Sequence, residues 1–148
     1  MSRLAVQALI LLGISAGLAF SANVLRTDRL ALATDPTRYR YQDIRFIAVD
    51  DAARIHEADP TVLFLDARDP GAYERRRILG AVSFPADALD PAYAELRDFL
   101  IADTRLVVYS EDVLLSVRAA RFLAARGYDA AVLDGGWDAW GHARLPVE

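Results

Sequence analysis

The segment LVVYSEDVLLSVR, residues 106–118, constrains the fold of this chain more than any other. Its apolar start, Val107 to Tyr109, is typical of a buried strand, and Ser116 is a candidate N-cap for a helix over residues 117–126. A strand, a short loop and a helix in this order direct backbone N–H groups and a helix dipole at one point. In an enzyme built this way, the first loop position, here Ser110, carries the nucleophile.

Short apolar runs alternate with helical patterns along the chain, with strands predicted over residues 46–49, 62–65, 81–84, 105–109 and 131–133. This alternation predicts an α/β domain whose parallel sheet has helices on both faces. Residues 90–100 are predicted to form an amphipathic helix whose inward face includes Leu96, Phe99 and Leu100. Asp66 and Arg68 follow the strand over residues 62–65, at the end of the strand where sites form in open α/β sheets.

Three segments carry a family resemblance: LVVYSEDVLLSVR, VLFLDARDPGAYERRRILGAVSFP (62–85) and YDAAVLDGGWDAWGHARLPVE (128–148). In this order they resemble a rhodanese-like (sulfurtransferase) domain over residues 46–148. The resemblance implies a three-layer domain with a five-stranded parallel sheet, and it implies that Asp66 and Arg68 brace the loops. It places Ser110 at the position of the catalytic Cys and predicts one binding loop, formed by Ser110, Glu111, Asp112, Val113, Leu114, Leu115 and Ser116.

The predicted loop departs from the family pattern in three ways. The chain contains no Cys, Leu115 stands where the family often has Arg, and apolar residues replace the usual polar, Gly-containing anion cradle. A Ser hydroxyl needs an adjacent base to act as a nucleophile, and no His is near Ser110 in sequence. We therefore predict a catalytically inactive binding or assembly module. The alternative is a residual sulfurtransferase, or another Ser-based enzyme, that uses Ser110.

The apolar triplet Val113-Leu114-Leu115 in this loop has two interpretations. An exposed apolar loop favours coverage by a partner or by the connector of the chain itself. A loop that packs inward would instead extend the core. A carboxylate at position 114 separates the two, because only an inward-packed loop loses stability when a charge is buried.

Residues 4–25 form an uncharged run that, as a helix, spans about 33 Å, enough to cross a bilayer core. We predict an uncleaved transmembrane anchor over residues 1–25, a connector over residues 26–45 and the rhodanese-like domain over residues 46–148. A secretory signal peptide is the rival interpretation, because Arg3 gives a short positive start and Ala19-Phe20-Ser21 resembles a cleavage site.

The predicted location is the bacterial cytoplasmic (inner) membrane, with a single pass. The arginines that follow the anchor favour the cytoplasm by the positive-inside rule. The short basic start favours the periplasmic side, which is the side we predict for the domain. The predicted partner is an integral membrane or membrane-associated protein. The net charge of −4 and the sequence pI of about 5.2 exclude a nucleic-acid partner. Without Cys and with two separated His, we predict no metal site and no cofactor.

Overall fold

A computed structural model describes residues 40–100 and 104–148 of the chain. The predicted anchor over residues 1–25 lies outside these ranges, as does the predicted connector up to residue 39. Among the described residues, none of the helices has both the length and the hydrophobicity that crossing a membrane requires.

Five parallel strands form a sheet in the described part of the chain, in the spatial order β1-β5-β4-β2-β3. They are β1 (Arg45–Ile47), β2 (Val62–Asp66), β3 (Val82–Ser83), β4 (Arg105–Tyr109) and β5 (Asp129–Leu133). The prediction of an α/β fold with a five-stranded parallel sheet is confirmed.

The connections between the strands are mostly helical. The helices are α1 (Val49–Ala58), α2 (Pro70–Arg75), α3 (Leu89–Leu96), α4 (Val113–Ala124) and α5 (Gly136–His142), with a short 3-10 helix at Ala86–Ala88 before α3. Helical crossovers are what parallel strands require, because a tight hairpin cannot join them.

The sheet is buried on both faces. Leu106 and Val108 of β4 belong to the core on the face covered by α4, whereas Val107 and Tyr109 belong to the core that contains Trp140 of α5. Successive side chains of a strand point to opposite faces, so an apolar run without polar interruptions requires a layer of helices on each side.

The predicted inward position of Phe99 is wrong, because α3 ends at Leu96 rather than at residue 100. The Phe99 N–H donates to the Leu96 carbonyl at 3.0 Å, a tightened turn that breaks the 3.6-residue period. Phe99 is therefore 79% exposed, while Leu96 and Leu100 are buried as predicted.

Candidate functional site

The register of β2 against β4 brings the predicted site residues to one edge of the sheet. Asp66 and Tyr109, the last residues of the two strands, are Cα partners, and the Ala67 N–H donates to the Tyr109 carbonyl at 2.8 Å. Ser110 follows Tyr109 directly, so the start of the predicted loop lies beside the Asp66–Arg68 segment. This edge is the carboxyl end of the sheet, where ligands bind in open α/β folds.

The predicted seven-residue loop is shorter than expected, and Ser116 is not the N-cap of the following helix. Helix α4 begins at Val113, and its N-cap is Asp112, whose side chain accepts a hydrogen bond from the Leu114 N–H at 2.8 Å. Asp is as good an N-cap as Ser, and it comes earlier in the chain. Ser116 is therefore buried inside α4, and Val113, Leu114 and Leu115 form its first turn.

The position of the apolar triplet on a helix decides which of its side chains is exposed. Val113 and Leu115 are half-buried and pack against the core on the α4 face of the sheet. Leu114 is 54% exposed. The two interpretations of the triplet therefore apply to different residues: two side chains pack inward, and one is available for a contact.

The hydroxyl of Ser110 is held within its own turn. It donates to the Asp112 carbonyl at 2.8 Å and accepts from the Asp112 N–H at 2.9 Å. The Ser110 carbonyl accepts from the Trp137 N–H at 3.0 Å, which ties the loop to the start of α5. Ser110 is only 2% exposed. Its hydrogen bonds are those of a Ser side chain that stabilises a turn, not those of a nucleophile that points into a site.

Three backbone N–H groups at the start of α4 already have acceptors within the chain. Besides the Leu114 N–H, the N–H groups of Leu115 and Ser116 donate to the Asp112 carbonyl at 3.0 and 3.3 Å. The Asp112 N–H is used by Ser110. An anion binds at a helix N-terminus by taking up free N–H groups. Here the Asp112 carboxylate takes that place.

A cavity of about 110 Å³ adjoins Ser110, and no imidazole of the described residues lines it. Its lining residues are Ser110, Glu111, Val113, Ser116, Leu133, Gly135 and Gly136. Glu111 is the titratable residue among them, and its carboxylate lies 3.4 Å from the guanidinium of Arg68. The Ser110 hydroxyl donates to the Asp112 carbonyl and not to this carboxylate, so no hydrogen bond between a nucleophile and a base is formed at the cavity.

Asp66 and Arg68 form a buried ion pair below the loop. The Arg68 Nη2 atom lies 2.6 Å from Asp66 Oδ2, and the Nε atom lies 2.9 Å from Asp66 Oδ1. Asp66 is fully buried, and Arg68 is 5% exposed. The Arg68 Nη2 group also donates to the Arg76 carbonyl at 2.6 Å. The pair therefore links β2 to the segment after α2.

Tyr109 completes this buried network, and sequence reasoning missed it because its position at the end of a strand indicated packing alone. Its hydroxyl donates to Asp66 Oδ2 at 2.7 Å and accepts from the Ile78 N–H at 3.2 Å. Burial and the neighbouring Asp66 carboxylate raise the pKa of the Tyr109 phenol, which keeps it a neutral hydrogen-bond donor.

Trp137 covers the network from α5. Its ring stacks on the Tyr109 ring at a centroid distance of 6.2 Å, and the guanidinium carbon of Arg68 lies 4.2 Å from the centroid of the Trp137 ring. Trp140 is fully buried, whereas Trp137 is half-buried and positions Arg68 through a cation–π contact.

Gly136 allows this close approach of α5 to the loop. Its φ is +56°, and a Cβ atom built on it would lie 2.1 Å from the Ser110 carbonyl oxygen. Any larger residue would have to push α5 away from the loop. The packing of α5 against the loop therefore requires glycine at position 136.

The family profile described as Rhodanese-like domain matches residues 48–143. Thiosulfate sulfurtransferase YnjE of Escherichia coli K12 is 43% identical to this chain over 47 residues, which cover 31% of this chain and 11% of YnjE. The similarity to YnjE therefore concerns about a tenth of the length of that protein.

Several solved structures share the fold. RPA3614 of Rhodopseudomonas palustris, a protein of unknown function, has a TM-score of 0.65 at 26% identity, covering 80% of this chain and 98% of that one. The thiosulfate sulfurtransferase of Pseudomonas aeruginosa has a TM-score of 0.62 at 23% identity, covering 74% of this chain and 21% of that one. The Alr3790 protein of Anabaena has a TM-score of 0.62 at 24% identity, covering 69% and 80%.

Proposed function

Because this chain belongs to the rhodanese-like domain family, we propose that it is a non-catalytic member that acts as a membrane-tethered binding module. The observation that carries the proposal is the occupied N-terminus of α4. There the Asp112 carboxylate caps the helix, and the Ser110 hydroxyl is held by the backbone of Asp112. The alternative, a sulfurtransferase that uses Ser110, is supported by the similarity to the thiosulfate sulfurtransferase YnjE.

Sulfur transfer needs a nucleophile that ionises near neutral pH and carries a second sulfur atom. A Cys thiolate at a helix N-terminus meets both needs, because the helix dipole lowers its pKa. A Ser hydroxyl meets neither need, and the sequence contains no Cys to act in its place. The chemistry available at position 110 therefore supports binding rather than turnover.

The charge around the loop also disfavours an anionic sulfur donor. Glu111 and Asp112 stand at positions 1 and 2 after Ser110, and Arg68, the nearby cation, is already paired with Asp66. A thiosulfate or persulfide anion would meet like charge and find few free donors. Leu115 adds no cation to offset these carboxylates.

The exposed contact surface for a partner is proposed to centre on Leu114. Beside it, Leu115 lines a depression of about 320 Å³ whose other walls include Pro70, Pro85 and Ala88. Arg68, Asp69 and Asp87 also line this depression. An exposed apolar side chain near a depression of mixed apolar and charged lining suits a protein contact better than a soluble anion. We propose that the partner is an integral membrane or membrane-associated protein.

The tether is proposed to be the uncharged run over residues 4–25, inserted as a single pass in the bacterial inner membrane with the domain on the periplasmic side. A tether raises the effective concentration of a domain near other membrane proteins, so a modest contact at Leu114 is sufficient for association. This supports a membrane partner as the binding target.

We expect that Ser110→Cys alone will not create robust sulfurtransferase activity. The new thiol would find fewer free N–H donors, because Asp112 accepts from those of Leu114 and Leu115, and it would lie beside two carboxylates that raise its pKa. The measurement is transfer of sulfur from thiosulfate to cyanide by the full chain, with a known thiosulfate sulfurtransferase run in parallel.

Wild type and Ser110→Ala are the matched controls for this assay. Both are expected to stay at background, as is Ser110→Cys. Turnover by wild type that Ser110→Ala abolishes would establish the enzyme alternative, and robust turnover by Ser110→Cys would show that the anion site is intact.

We expect that Leu114→Asp will abolish co-purification of the partner from membranes while leaving the Tm of the full chain nearly unchanged. Leu114 is 54% exposed, so a carboxylate there stays hydrated, whereas an apolar partner surface would have to bury it. The measurements are crosslinking pull-down from membranes and thermal unfolding in a nonionic detergent.

Leu115→Asp is the matched control, because Leu115 is on the same helical turn but packs against the core. A half-buried carboxylate there is expected to lower the Tm by several degrees. If Leu114→Asp leaves co-purification intact, the partner binds through another surface; if it lowers the Tm as much as Leu115→Asp, position 114 is structural.

A further inference from the structure

A groove of about 410 Å³ runs along α5 and the segment that follows it, separate from the loop at residues 110–112. Trp137 and Leu145 form apolar parts of its wall, and Arg76, Asp138 and Arg144 supply charged groups. No residue of the predicted binding loop lines this groove. It is therefore a second candidate surface, and its chemistry differs from that around Leu114.

The two arginines that line the groove lack an ion-pair partner among the described residues. Arg76 and Arg144 are exposed, and within residues 40–100 and 104–148 neither side chain makes a salt bridge. Most other arginines in the same ranges are paired, including Arg77 next to Arg76, which binds Glu148 at 3.0 Å. The groove thus offers cations that the folded domain does not use.

The backbone at Arg144 favours a different residue. Its φ is +55°, the one positive φ outside glycine among the described residues. It ends α5 in a Schellman turn, in which its own N–H donates to Gly141 O at 3.1 Å and the Leu145 N–H donates to Trp140 O at 3.4 Å. Glycine is the usual residue at this position because it has no Cβ to strain. Arginine at this position is therefore strained relative to glycine.

The volume and the lining of the groove indicate which chemical class of ligand it binds. Its volume exceeds what a single small oxyanion needs, and its apolar wall includes the exposed part of the Trp137 ring. Asp138 in the lining repels a dense polyanion, so a ligand with isolated negative charges fits better. Carboxylates spaced by apolar side chains match both the cations and the wall.

We propose that this groove binds an acidic segment of a protein partner, with carboxylates at Arg76 and Arg144 and an apolar side chain against Trp137. The proposal goes beyond the binding role of Leu114, because it names a separate surface and the chemistry of what it takes. Failure of the groove experiment would leave the proposal for the loop standing, since the two surfaces share no residue.

The test uses the tryptophan emission of the full chain in a nonionic detergent. The chain has two Trp residues; Trp140 is fully buried, so Trp137 is the one a ligand in the groove reaches. The probe is an acetylated, amidated hexapeptide of alternating glutamate and leucine. We expect a saturable change in emission that weakens with added salt, and no change with the same peptide carrying glutamine in place of glutamate.

Two variants are expected to weaken binding of this peptide about tenfold each, namely Arg76→Gln and Arg144→Gly. Arg144→Gly should keep or raise the Tm, because glycine relieves the positive φ, so its effect on binding cannot be a loss of folding. Arg75→Gln is the matched control: it removes the same charge next to Arg76 but does not line the groove, and its affinity should equal that of wild type.

Three results would overturn the proposal. They are the absence of a saturable response in wild type, an equal loss of affinity in Arg75→Gln, and a response to phosphatidylglycerol in mixed micelles with the same detergent that Arg76→Gln and Arg144→Gly abolish while the peptide gives none. The last result would assign the groove to a lipid surface instead of a protein segment.

Discussion

Replacing Arg68 by alanine is expected to lower the Tm of the domain by about 10–20 °C, because removal of one partner from a buried ion pair costs about 3–5 kcal/mol. Asp66 would be left fully buried, without the guanidinium that lies 2.6 Å from its Oδ2 atom. The Arg76 carbonyl would also lose its donor, and the Trp137 ring would lose the cation packed on its face. Thermal unfolding of the full chain, followed by circular dichroism, measures the loss.

The control for Arg68→Ala is Arg118→Ala. Arg118 pairs with Asp87 at 3.3 Å, but 56% of its side chain is exposed, and surface pairs contribute only about 0–1 kcal/mol. Its Tm should stay within a few degrees of that of wild type. The double variant Asp66→Ala/Arg68→Ala should lose less than the sum of the single variants, because it leaves no unpaired charge. An Arg68→Ala protein as stable as Arg118→Ala would contradict the assigned network.

Replacing Gly136 by alanine is expected to have the second large effect. The added Cβ would lie 2.1 Å from the Ser110 carbonyl oxygen, so α5 must move away from the loop and the 3.0 Å bond from the Trp137 N–H to that oxygen is lost. The left-handed backbone adds about 1–2 kcal/mol for any residue with a Cβ, and the lost bond about 1–3 kcal/mol. We expect a Tm drop of about 10 °C or more, with a red shift of Trp137 emission.

Gly80→Ala separates the strain of the left-handed backbone from the clash with the Ser110 carbonyl. Gly80 also has a positive φ, +74°, but a Cβ atom there would meet nothing within 4 Å. Its substitution should cost only the backbone term, about 1–2 kcal/mol. Equal losses in the two variants would show that backbone strain alone acts at Gly136, and that the contact of α5 with the Ser110 carbonyl carries little stability.

The order of elements followed from local patterns in the sequence. The apolar run at Val107–Tyr109 and the alternation of strands with helices predicted the parallel sheet, because burial on both faces leaves a continuous apolar strand. The same segments carried the family resemblance, and the sequence itself shows that position 110 is not Cys. These properties depend on residues that are close together in the sequence, so they can be predicted from it.

The start of α4 was predicted four residues too late, and this one boundary changed the description of the loop. Asp112 and Ser116 are both good N-caps, and local preference does not choose between them. The packing of Val113 and Leu115 against the core makes the earlier start favourable. Once the helix begins at Val113, its period points Leu114 outward, which no count of apolar residues could indicate.

By itself the sequence determined the fold, the parallel sheet and the lack of a thiol nucleophile, since each follows from the composition and period of single segments. Only the tertiary structure decided that Asp112 fills the helix N-terminus, that Tyr109 and Trp137 enclose the Asp66–Arg68 pair, and that Arg76 and Arg144 line one groove. The Asp112 cap is local, but the packing of Val113 and Leu115 against the core selects it over Ser116. The other contacts join residues from separate strands and helices, and their geometry is set by how the layers pack rather than by any local preference.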